Sequence, residues 1–187
     1  MVSWRDLGGP ARAIGGAIGW AVQAAQGRDR VAFESAVIEL AAQPVEATGL
    51  VLGALVRTLL EKQHTDGLDG ADVRAVLTRC YAEAVTWLPG ESVRVEPLLA
   101  VLSSALGIHE PGITYVEITG PAATTEWADP ELSGDRPVQQ RAPTTVEYVR
   151  HAPLLIADLL WAGGQPLARY LDAAFTEIAR SEAMEMP

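Results

Sequence analysis

Along most of this chain apolar residues recur every three or four positions, the period of an α-helix, and over one stretch the recurrence fails. One recurrent stretch, Gln43 to Lys62, reads QPVEATGLVLGALVRTLLEK. On a wheel of about 100° per residue, Glu46 and Arg57 take nearly the same bearing, and they are the only charges between Pro44 and Leu60. Gly53 lies between them, and Val45, Val51, Leu52, Ala54, Leu55, Val56 and Leu59 occupy the rest. A helix apolar almost all round sits inside a bundle, so this one is expected at the centre. Pro44 suits the first helical position, where its missing N–H costs nothing. Gly49 and Gly53, one turn apart, leave room for a neighbouring backbone.

The same period predicts helices on either side. Pro10 to Gln26 is one, with Ile14, Ile18, Ala21 and Ala25 on one face and Trp20 and Ala24 on the next. Its Gly15 and Gly19 form a pair of small residues one turn apart, a spacing that supports close helix contact within a domain or between two copies. Gly27 ends it. Asp29 caps the next helix, which runs to about Ala42 and carries Phe33, Ala36, Val37 and Leu40 inward. After a turn at Asp66–Gly70, Asp69 or Asp72 caps a helix to Leu88 with the stripe Val73, Val76, Leu77, Cys80, Ala84 and Trp87. Pro89 and Gly90 stop it. Ser92 opens the following segment, with Pro97 near its start.

From His109 to Pro143 no helical period survives; prolines and acids take over. Within that stretch Ile113 to Thr119, ITYVEIT, is β-branched and aromatic-rich and reads as a single strand. Helix resumes at Thr144 or Thr145, and Pro153 is expected to kink or divide it. Gly163 and Gly164 close it, Pro166 starts a last helix with Leu167, Leu171, Ala174, Phe175 and Ile178 inward, and the tail SEAMEMP is expected in solvent. Gln43-Pro44, Glu96-Pro97 and Gln165-Pro166 echo one another, but their unequal spacing fits proline-started helices of a bundle better than a repeat array.

A chain of 187 residues can bury one substantial core. Its net charge of −10 argues against nucleic acid, which needs a basic face, and against an anionic membrane surface. The apolar run Ala13 to Ala25 is too short to span a bilayer, and Arg5 is offset by Asp6, so a secretory signal is not expected. With one cysteine, Cys80, no internal disulfide can form, which fits a reducing cytoplasm.

Candidate chemistry is sparse. His64, Asp66, Asp69 and Asp72 in HTDGLDGAD lack the alternating oxygens and distal glutamate of a calcium loop, and read as a turn whose aspartates cap a helix. Glu147 and His151 share a helix face, but di-iron bundles need that pair repeated on two helices. The Glu147–His151 face is therefore expected in solvent, and the only way to enlarge the set would be His109-Glu110. Cys80 lies on an apolar stripe and reads as a buried thiol. No phosphate loop, serine elbow or paired-cysteine motif occurs. Trp20, Trp87 and Trp161 are expected in the core, with Trp4 and Trp127 in irregular segments.

The expected fold is all-α: a bundle of five to seven helices around a central buried helix, plus one long irregular acidic segment with a candidate short strand. It forms a single domain, with a helical core at 10–107, the irregular segment at 108–143 and a C-terminal helical pair at 144–182. The expected function is a non-catalytic cytoplasmic interaction or scaffolding protein that associates with itself, as a homodimer, or with another protein. Its contacts would include Tyr115 and Trp127. No cofactor, metal, nucleic acid or membrane partner is expected. The alternative is a bundle holding a small apolar ligand between helices, lined by Leu52, Val56, Trp87 and Trp161; a metal-dependent enzyme is the third reading.

Overall fold

The computed structural model describes residues 4–6, 8–107 and 145–185. Seven α-helices account for most of them: α1 (Pro10–Gln26), α2 (Arg30–Ala41), α3 (Val45–Gln63), α4 (Gly70–Ala84), α5 (Val95–Ala105), α6 (Thr145–Gly163) and α7 (Leu167–Glu185). Short 3-10 turns stand at Trp4–Asp6 and Gly90–Ser92. Among the described residues there is no strand, and the all-α bundle is the fold. The candidate strand Ile113 to Thr119 and the contact residues Tyr115 and Trp127 lie outside the described residues.

Helix starts follow local chemistry. The Asp29 carboxylate accepts from the Ala32 N–H at 3.0 Å and starts α2. At α4, Asp69 and Asp72 act together. The Asp69 carboxylate accepts from the N–H groups of Ala71 and Asp72 at 2.7 and 2.9 Å, while Asp72 accepts from the Asp69 N–H at 3.1 Å, a reciprocal capping box. Those backbone N–H groups hold the Asp69 carboxyl below its ordinary pKa. The α1 end differs from expectation in one detail. Gly27 keeps a right-handed conformation, and Arg28 takes the left-handed one at φ 53° that glycine usually fills.

α3 buries Val51, Leu52, Ala54, Leu55, Val56, Leu59 and Leu60, leaves Gly53, Arg57 and Thr58 partly exposed, and opens to solvent over its first two turns through Val45, Glu46 and Leu50. It packs against α5, α6 and α7. α6 shares the centre and touches more of the fold, lying against α1, α2, α3, α4 and α5. Pro153 does not divide α6, which runs unbroken from Thr145 to Gly163. The proline ring is itself buried, and the packing of Ala152, Leu155, Ile156 and Leu159 on the bundle, all at zero exposure, holds the helix together across the missing N–H. None of the described helices is long and apolar enough to cross a membrane.

Of the small-residue pair of α1, Gly15 is used inside the chain. Trp4 is buried over Gly15, where an added Cβ would collide with the indole, while no atom outside α1 lies within 4 Å of a Cβ built at Gly19. The Trp4 backbone N–H donates to Asp172 of α7 at 2.7 Å and ties the first turn down. Phe175 and Ile178, expected inward on α7, are only half-buried, and α7 extends through the start of SEAMEMP to Glu185.

Candidate functional site

Three elements leave an apolar groove between them: the C-terminal end of α1, the C-terminal part of α4 and the C-terminal half of α6. Its volume is about 510 Å³ and it is open along one side. Ala25, Cys80, Ala84, Leu154 and Ala157 form the floor. Trp87 closes one wall, braced edge-on against Phe33 of α2 with ring centres 5.3 Å apart. Trp161 stands at the lip, 89% exposed.

Every charge lining the groove is paired. Arg28, aimed by its left-handed backbone, meets Glu83 of α4 at 2.6 Å. Arg79 of α4 grips Asp158 of α6 through two guanidinium nitrogens at 2.7–3.1 Å, a two-pronged contact that raises the Arg79 pKa. These pairs tie α4 to the turn after α1 and to α6. Their partners lie far apart in sequence, so no local pattern announces them. One local signal does exist: Leu154, Ala157, Asp158 and Trp161 repeat at helical spacing, and a charge on that stripe marks it as a face that reaches water.

The expected pocket residues separate into two groups. Trp87 and Trp161 meet in the groove. Leu52 and Val56 have no exposure, sit in the core on α3 and do not line it. The expectation that Trp20, Trp87 and Trp161 pack in the core fails for two of them: Trp20 is 41% exposed and Trp161 almost wholly so. Both point away from the stripes that their helices bury. Trp87 is half-buried, and Trp4, placed by sequence in an irregular segment, is the well-buried indole among the described residues.

Cys80 is buried as expected, and desolvation pushes its thiol well above the ordinary value, so it carries its proton at neutral pH. His151 corrects the expectation of a solvated face. It is buried, its Nδ1 donates to the Glu147 carbonyl at 2.7 Å, and its Nε2 accepts from the Arg94 N–H at 3.2 Å. That pattern fixes the neutral tautomer, and burial lowers the imidazole pKa. The Glu147 carboxylate pairs with the Arg94 guanidinium. His151 is thus a clasp between α6 and the start of α5.

The turn at 64–72 caps α4, as read from sequence, and places His64 Nδ1 3.4 Å from Asp72. It borders a second, more polar recess of about 580 Å³ near Lys62, Gln63 and Gln165. Among the described residues no three histidine, cysteine or carboxylate side chains converge to hold a metal.

Comparisons with known proteins add no relative: no family model matches the chain, and searches of the curated proteins and of the solved structures found no match.

Proposed function

We propose that this chain is a non-catalytic protein-interaction module, working in the cytoplasm, and that the groove between α4 and α6 is its docking surface. One observation carries the reading: the Trp161 indole stands almost fully in water at the lip of an apolar, half-open groove. A buried tryptophan removes about 150–250 Å² from solvent. At roughly 25 cal/mol per Å² this is a gross gain of about 4–6 kcal/mol for a partner that covers it, before the costs of association. Exposed aromatic anchors beside a pocket are where interface energy concentrates.

The titratable groups near the centre favour binding over chemistry. The Cys80 thiol is protonated and shielded, and both ring nitrogens of His151 are engaged in holding the fold. A neutral, environment-sensitive naphthalene dye tests the docking surface. The wild type is expected to bind it with a blue-shifted emission, and Ala157→Trp, which fills the groove, is expected to lose that binding. Equal dye binding by the two proteins, or none by either, counts against the reading.

A second reading rests on the volume. About 510 Å³ falls within the range of small-molecule sites, roughly 300–1,000 Å³. A small apolar ligand would lie on the Leu154 floor between Trp87 and Trp161. Native mass spectrometry of protein purified from its own host separates the two: a retained small molecule favours this one.

A further inference from the structure

We infer that the partner at this groove is a second copy of the chain, docked about a two-fold axis so that Trp161 of each copy enters the groove of the other. The inference rests on the docking reading above and names its occupant.

The first support is geometric. The projecting indole and the cavity lie on the same face, because Trp161 is itself part of the cavity lip. A two-fold contact brings the same patch of both copies together. A knob beside a hole is then self-complementary: each knob faces the other copy's hole, and one association makes both contacts. The cavity is matched to a large side chain. At about 510 Å³ it has room for an indole.

The second support is electrostatic. The chain carries a net charge of −10, so two copies repel over much of their surface. The groove lining departs from that balance, with two cations, Arg28 and Arg79, and two anions, Glu83 and Asp158. A two-fold operation can set the guanidinium of one copy toward a carboxylate of the other. This neutral rim is a place where copies approach at little electrostatic cost.

Sedimentation velocity on the full chain, from about 1 µM to about 0.1 mM, tests the inference; a dimer with Kd near 10 µM would be mostly formed at the upper end. The expected result is a concentration-dependent dimer, accompanied by a blue shift of tryptophan emission as the lip indole leaves water. Trp161→Ala should raise Kd at least tenfold, as for an interface anchor, and Ala157→Trp should do the same by filling the hole. Trp20→Ala, which removes an exposed indole outside the groove, should leave Kd unchanged. A monomer at every concentration overturns the inference, and so does a dimer indifferent to Trp161→Ala. In either case the dye assay decides the broader reading: dye binding that Ala157→Trp abolishes keeps the groove as a docking surface for another protein, and its absence removes both.

Discussion

The seam between α3 and α6 and the groove between α4 and α6 use the same kinds of residue and end in opposite states. At the seam, Leu52, Leu55, Val56 and Leu59 of α3 and Leu155, Ile156 and Leu159 of α6 have no exposure at all. Two positions beyond Leu159, Trp161 is almost bare. At about 100° per residue the two side chains point about 200° apart. The difference lies in bearing, not in hydrophobicity. One face of α6 meets α3 directly, while the other faces α4 across an apolar floor and is tied to it by the Arg79–Asp158 ion pair. An apolar side chain is buried only if something is set opposite it, and at Trp161 none of the described residues is set there.

Leu155→Ala should create a cavity in a fully packed position and cost about 2–5 kcal/mol, measured by urea unfolding. A loss under about 1 kcal/mol would mean that the seam is not the tightly packed half.

His151 tests the clasp where α6 meets the start of α5. Its folded pKa lies below the unfolded value of about 6.5. Its contribution is therefore complete above about pH 6.5 and is lost as the pH falls from there through the depressed folded value. The groups facing it, Glu147 and Arg150 on its own helix and Arg94 from the α5 side, are already engaged and do not reverse that sign. His151→Leu should cost about 1–3 kcal/mol at pH 7, because the Arg94 N–H loses its acceptor. It should also flatten the fall in Tm between pH 6.5 and 5 relative to wild type; parallel Tm curves would contradict the clasp.

A smaller effect is expected where α2 meets α6. Arg150 donates to both oxygens of Glu34 at 2.7 and 2.6 Å and holds that carboxyl below its usual range. The pair is partly solvated, so Arg150→Met should cost about 1–2 kcal/mol in chemical denaturation. The smallest change belongs to the groove. Trp161→Ala should move monomer stability by no more than about 0.5 kcal/mol, as for a surface position. A larger loss would mean that the indole supports its own chain.

Most helix starts were legible because their signals are local, although Pro44 stands at the N-cap and not at the first helical position, and α4, expected to reach Leu88, ends at Ala84. Asp29, the Asp69–Asp72 pair, Pro44 and the Gly163-Gly164 stop act on backbone within a few residues, so the chain order alone places them. The wheel of α3 was legible for the same reason. The fates of the tryptophans were not, since bulk and hydrophobicity say nothing about what stands across from them. His151 was misplaced because its two partners are main-chain groups, one of them on the far side of the segment between α5 and α6. The charges at the groove were invisible as pairs for the same physical reason: Arg28 with Glu83 and Arg79 with Asp158 are brought together only by the tertiary fold.

Burial of the single sulfhydryl, Cys80, has a practical consequence. A cysteine introduced on the surface would be the one thiol open to maleimide or spin-label reagents, with the native residue left in place. Paired labels near the end of α6 could then measure how far apart two molecules sit in solution, without first stripping the protein of its own sulfur.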